Sequence, residues 1–283
     1  VSTSTGQAWT DQDFPTAQWY HVITTKHIPY HVCGAQQDNS RLSVPSNLGL
    51  GGGFAFGGGG GGGGGGQNRP AGSVPEPTRG FMASSYQAAG GEPGYIATDP
   101  LDADIYYSGT NNGGYLDKYN RRTGYRREVN PYPWFYSGEP SKDIMERWQW
   151  TYPIIFSKAN PKLLFTASQR LWKTTDGANT WKAISGDLTR HDPMTMGHSG
   201  GPITGDMNGP EVYAVIFSIG PSKKDVNVIW TGSDDGLVQV TRDGGKTWTK
   251  ADHFDGVPDT TYVSRVIWSR SNEGTLYATF DGH

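Results

Sequence analysis

One eight-residue pattern occurs twice and fixes more of the architecture than any other feature of the chain. Thr174-Thr175-Asp176-Gly177-Ala178-Asn179-Thr180-Trp181 and Thr241-Arg242-Asp243-Gly244-Gly245-Lys246-Thr247-Trp248 both read Thr-x-Asp-x-small-x-Thr-Trp. Each follows a β-rich stretch and leads into another. Aspartate suits the third position because its carboxylate accepts hydrogen bonds from backbone N–H groups a few residues on. The small residue two positions later allows backbone conformations that strain a bulky side chain. The closing Trp buries a large apolar area beneath the turn. This is a device for shaping a hairpin rather than a reaction, and its repetition implies repeated hairpins.

A second repeat is independent of the first. Short β-branched or aromatic runs ending in a small residue recur at His31-Val32-Cys33-Gly34, Ile105-Tyr106-Tyr107-Ser108-Gly109, Leu164-Phe165-Thr166-Ala167, Ile229-Trp230-Thr231-Gly232 and Leu276-Tyr277-Ala278-Thr279. Polar turns precede the last four. Four-stranded propeller blades need roughly 40–50 residues, and three of the four intervals are longer, so those units carry insertions. The expected fold is all-β: a β-propeller of four-stranded blades placed radially. In the third unit the strands are expected at about 152–156, 163–167, 171–175 and 181–184, and in the fourth at about 212–217, 228–232, 237–241 and 248–251. The Asp-containing turn then joins the third strand to the fourth. The segment 1–283 reads as about four blades with pieces of two more, a fragment of a longer propeller protein.

The repeated turn resembles the Asp-box, or BNR repeat, of sialidases, sortilin-type ectodomains and two-propeller glycoside hydrolases. Asp176, Trp181, Asp243 and Trp248 take its structural positions. A degraded copy, Ser2-Thr3-Ser4-Thr5-Gly6-Gln7-Ala8-Trp9, keeps Trp9 but has Ser4 where Asp is expected. Further stretches extend the resemblance: 18–22, 29–40, Ser185-Gly186-Asp187-Leu188-Thr189-Arg190, Ser199-Gly200-Gly201-Pro202-Ile203-Thr204 and Gly232-Ser233-Asp234-Asp235-Gly236-Leu237-Val238. Together they are similar to large exported bacterial proteins of the sortilin-like, BNR-repeat glycosyl hydrolase family. That resemblance implies a secreted, periplasmic or cell-surface setting. It does not by itself supply an activity.

In Asp-box propellers the boxes lie on one face and ligands bind on the other, where the turns between second and third strands meet the links between blades. Candidate ligand-face residues are therefore Gln37, Asp38, Asn111, Asn112, Arg170, Asp234 and Trp148. Amides, carboxylates and aromatic faces suit sugar hydroxyls and ring stacking, although Asn, Asp and Gly are also what hairpin turns require. A glycoside hydrolase needs two carboxylates across a cleft, and the candidate acids are Asp38, Asp206, Asp234 and Asp235, of which the last three are preferred. Adjacent residues such as the last two tend to diverge. The expected function is a binding or scaffold module for a protein or glycan partner, as in an accessory subunit of a larger or membrane-attached assembly. The alternative is a glycoside hydrolase of the two-propeller or sialidase-like type.

Composition sets the remaining bounds. Ten Trp and fifteen Tyr accompany a net charge of only −3. Nucleic-acid binding would need clustered Lys and Arg, and the short run Arg121–Arg127 reads as a solvated outer strand. No apolar run approaches the roughly 20 residues of a membrane span. Cys33 is the single cysteine and reads as a small buried hydrophobe. No Cys/His spacing suggests a metal site, and no cofactor is expected. The Gly-rich stretch 49–66 is either a flexible loop or a stretch in which glycine stands in for unidentified residues.

Overall fold

The consecutive apolar residues of the strand runs imply strands buried on both faces, and this is what the structure shows. It is a computed structural model that describes residues 5, 7, 18–37, 41–46, 86–88, 90–91, 94–109, 115–134, 138–203, 205, 207, 211–272 and 274–282. Four antiparallel four-stranded sheets follow one another along the chain as blades of a β-propeller. The first holds β1 (Trp19–Thr24), β2 (His31–Gln36), β3 (Arg41–Pro45) and β4 (Tyr86–Gln87). The second holds β5 (Ile96–Thr98), β6 (Ile105–Gly109), β7 (Leu116–Asn120) and β8 (Tyr125–Glu128). The third holds β9 (Ile154–Phe156), β10 (Leu164–Ala167), β11 (Leu171–Thr174) and β12 (Lys182–Ala183), and the fourth β13 (Ile216–Pro221), β14 (Ile229–Ser233), β15 (Val238–Thr241) and β16 (Thr249–Ala251). A two-stranded sheet, β17 (Tyr262–Trp268) with β18 (Leu276–Asp281), follows the fourth blade.

The core is divided into one apolar layer per blade interface. Between the first and second blades lie Cys33, Ile96 and Tyr106. Tyr107, Leu116, Leu164, Trp172 and Trp181 fill the next interface, and Phe165, Leu171, Ile216, Ile229 and Trp248 the one after. Val238, Val263 and Val266 fill the last. Neighbours in sequence thus serve different layers: Tyr106 and Tyr107, Leu164 and Phe165, Leu171 and Trp172 point to opposite faces of their blades, as strand geometry requires. The small residue near the end of the second strand also has a reason. A Cβ on Gly232 would stand 2.5 Å from Val263 Cγ1 of the following sheet. Only glycine lets the blades approach that closely.

The two repeated turns join β11 to β12 and β15 to β16, and their hydrogen bonds match. Asp176 Oδ1 accepts N–H groups of Asn179 and Thr180 at 2.9 and 3.0 Å, and Asp243 Oδ1 those of Lys246 and Thr247, both at 2.9 Å. The hydroxyls of Thr180 and Thr247 donate to the second carboxylate oxygen. Gly177 and Ala178 have φ of 72° and 66°, and Gly244 and Gly245 have 74° and 101°. These donors hold both carboxyls well below the usual carboxylate range. Trp181 donates from Nε1 to Val129 O of the preceding blade at 2.8 Å, pinning the turn to its neighbour. The turn reading of Trp9 lies outside the described residues.

Cys33 is buried, its Sγ donating to Ser43 Oγ at 2.9 Å, and burial pushes its thiol up to about 11. Strand β8, with Arg126 and Arg127, is exposed along its length. Among the described residues no helix is long and apolar enough to cross a membrane.

Candidate functional site

Antiparallel topology places the turns between second and third strands at one end of the blades, together with the links that enter each first strand. The Asp-containing turns lie at the other end. At the link end two contiguous clefts, of about 730 and 540 Å³, meet at Gln149 and Phe217. Tyr213, Tyr262, Asp234 and Asp281 line the larger, and Tyr20, Trp150, Gln37 and Glu211 the smaller. Among the described residues no Lys or Arg lines either cleft, whereas Glu211, Asp234, Asp259 and Asp281 all do. The floor is aromatic: Phe217 meets Tyr262 edge-on with ring centroids 4.7 Å apart. On the far wall Trp150 Nε1 donates to Glu211 Oε1 at 2.7 Å.

Asp234 is the acid most tightly built into this wall. Its Oδ1 accepts the Val215 N–H at 2.8 Å, and its own N–H donates to Val215 O at 3.1 Å. Burial raises its carboxyl well above the ordinary value. The Val215 N–H opposes that rise and the neighbouring Asp235 charge adds to it. Ala214, next to the bonded Val215, sits at φ 65°, and Thr260 on the opposite side of the cleft at φ 66°. Left-handed conformations at non-glycine residues are costly and gather where the surroundings over-determine them. Burial likewise drives the Tyr213 hydroxyl up to about 12, with Asp234 and Asp235 adding to it. His21, stacked on Tyr95 at 3.7 Å, is lowered to about 4 by burial and by Arg265 and Arg41, so it is neutral at physiological pH.

Asp235 faces elsewhere. It is buried, with Ser233 Oγ donating to Oδ1 at 2.5 Å and the Arg190 N–H to Oδ2 at 2.7 Å. The Arg190 side chain donates in turn to the carbonyls of Asp235 and Asp252. This carboxylate therefore clasps the link leaving the third blade onto the turn of the fourth. The adjacent acids diverge and do not form a catalytic pair.

A similar clasp occupies the turn at 168–170. Arg170 pairs with the fully buried Glu146 and lies 5.4 Å from the Trp172 ring centroid, while Ser168 Oγ donates to the other Glu146 oxygen. Arg170 is thus engaged in holding the link at 144–149. Trp148, expected on the ligand face, is instead fully buried, meeting Tyr152 edge-on at 5.2 Å within the core between the second and third blades. The long link folds back into the core, and the half-buried Trp150, two residues on, lines the smaller cleft. Gln37 does line the smaller cleft, accepting a hydrogen bond from the Tyr20 hydroxyl. Asp38, Asn111, Asn112 and Asp206 lie outside the described residues.

Tyr213, Phe217, Tyr262 and Glu211 were not singled out by sequence reasoning. The available signal was their position at or just before the entry of a blade's first strand, the innermost strand of the blade.

No family model matches the chain, and no curated protein matches it. Among solved structures it is similar to an ancestral GH74 enzyme, at 18% identity and a TM-score of 0.41 over 67% of this chain. The chain spans only 22% of that one. At that similarity the likeness bears on no residue of the cleft.

Proposed function

We propose that this propeller is a binding module that takes a neutral or basic carbohydrate in the cleft at the link end of its axis. The observation that carries the reading is the lining itself: aromatic faces of Tyr213, Phe217 and Tyr262 beside carboxylates of Asp234, Asp281 and Glu211, with no Lys or Arg among the described residues. Aromatic faces pack the C–H face of a sugar ring, and carboxylates accept its hydroxyl protons. An acidic sugar would meet like charge at these carboxylates. The resemblance of the repeated turns to Asp-boxes supports an exported setting for such a module.

Hydrolysis is the second reading, and one observation favours it: a carboxyl with a raised pKa in a cleft is what a general acid requires. Against it, Asp235 is committed to Arg190 and Ser233. Calorimetry with neutral oligosaccharides, on the wild type and on Phe217→Ala, tests the proposal. Loss of one stacking partner is worth about 1 kcal/mol, so affinity should fall about fivefold to tenfold. Unchanged affinity in the variant, or no binding at all, refutes it. Release of reducing ends that Asp234→Asn abolishes, while binding persists, establishes the hydrolase instead.

A further inference from the structure

The opposite end of the same axis carries a second cavity with the reverse chemistry. It measures about 280 Å³ and lies among β9, β13 and β17, where those strands run toward the Asp-containing turns. Lys158, Lys223, Arg265 and Arg270 line it, and among the described residues no carboxylate does. In a chain of net charge −3, four cations converging on one cavity, with no acid among its described walls, is a local reversal of sign. Arg265 acts inward along the axis: it helps lower the pKa of His21 and opposes the upward shift of Tyr95.

The walls between the cations are apolar. Phe156, Ile219, Val266 and Trp268 contribute them. Trp268 is held in place by its Nε1, which donates to Gly220 O at 2.9 Å, and Lys223 Nζ is anchored on Ser269 O at 2.6 Å. The anchored lysine and indole leave Lys158, Arg265 and Arg270 as the long cationic arms at the rim. A solvated basic patch would present its charges outward on a convex surface. Here they surround a concavity large enough for a small organic molecule.

We propose that this cavity is a binding site for a small organic anion, with an acidic head held by Arg265, Arg270 and Lys158 and an apolar body against Phe156 and Trp268. Guanidinium groups offer paired donors that match both carboxylate and phosphate oxygens. The apolar walls make the body as necessary as the charge. The site is independent of the carbohydrate cleft and uses none of its residues.

The test is calorimetry on the intact chain with four probes: phenylacetate, phenyl phosphate, phenylacetamide and inorganic phosphate. The expected result is binding of phenylacetate or phenyl phosphate, weakening as salt is raised, with phenylacetamide and inorganic phosphate each at least tenfold weaker. The preferred aromatic anion distinguishes a carboxylate ligand from a phosphate one. Arg265→Gln with Arg270→Gln should lower that affinity at least tenfold; both side chains are exposed, so an unchanged melting temperature confirms the fold is intact. Equal binding of phenylacetamide would reduce the cavity to an apolar crevice and overturn the proposal. So would tight inorganic phosphate binding, which needs no apolar wall, or failure of both aromatic anions to bind.

Discussion

Arg147 offers the most demanding test of how the blades are fastened. Its side chain is almost completely buried and joins three separate segments: Nε donates to Ala214 O at 2.8 Å, and an Nη donates to Asp187 Oδ2 at 2.7 Å and to Thr189 Oγ1 at 3.2 Å. Asp187 also takes His191 Nδ1 at 2.9 Å. Burial pushes the Asp187 carboxyl up, but Arg147 and Thr189 more than offset it and leave it below the ordinary value. A depressed carboxyl contributes stability above its unfolded pKa, about 3.9, and loses it as pH falls through the folded pKa. Arg147→Met removes the main offset. Burial then dominates, Asp187 costs stability at neutral pH, and acidification relieves that cost. Removing one partner of a buried pair costs about 3–5 kcal/mol; the Asp187 side chain is 29% exposed, so the lower figure applies. At about 2–4 °C per kcal/mol for a chain of this size, the melting temperature should fall by about 6–12 °C at pH 7. The gap to wild type should narrow as melts are repeated down to about pH 3.5. Arg147→Met with Asp187→Asn should recover part of the loss at pH 7. A gap that stays constant with pH, and no recovery in the double variant, would show that Arg147 acts only through Ala214 and packing.

The two repeated turns should respond differently at their equivalent small residue. A Cβ on Gly245 would lie 2.3 Å from Ile184 O at φ +101°, so Gly245→Ala should cost about 3 kcal/mol or more, read by chemical denaturation. Ala178→Gly relieves about 1–2 kcal/mol of left-handed strain. It gives up a buried methyl worth about 0.8 and adds about 0.5–1 of chain entropy, so the net change should stay within about 1 kcal/mol. Asp243→Asn should lower the melting temperature at neutral pH, with the difference closing as pH falls below about 3.9, because the depressed Asp243 carboxyl stabilises only while ionised.

The parts of this fold legible in the sequence are those in which local chemistry decides the outcome. In the third unit the expected strands 163–167 and 171–175 meet β10 and β11 to within a residue, because turn residues bound them on both sides. The expected strand at 212–217 is displaced to Ile216–Pro221. Val212–Val215 is β-branched and apolar enough to read as a strand. However, Ala214 is left-handed and Val215 gives its N–H to Asp234, so pairing with β14 begins only at Ile216. Trp148 shows the same limit: an aromatic in a long polar link reads equally as exposed or buried, and only the packing of Tyr152 decides. Gln37 and Asp234 were placed at the cleft by turn position alone. Asp235 and Arg170 occupy equivalent turns yet are spent on contacts with segments 45 and 24 residues away, which no local pattern encodes.

Asp234 stands where fastening and binding meet, and this gives the carbohydrate proposal a thermodynamic signature. The carboxyl is raised because burial penalises its charge more than the Val215 N–H compensates. A sugar hydroxyl donating to it favours the ionised form. Below the raised pKa the free protein holds the proton, so binding must release it, and affinity must rise with pH through that range. Phe217 and Tyr262 pack the sugar without regard to protonation, so Phe217→Ala should weaken binding without changing this slope. Asp234→Asn should flatten the slope while leaving the stacking term. Calorimetry in buffers of different ionisation enthalpy counts the released proton directly. Affinity that stays independent of pH throughout the range above the ordinary carboxylate pKa of about 3.9, or a slope that survives in Asp234→Asn, would remove Asp234 from the ligand's contacts and leave its carboxyl a clasp on the link at Ala214.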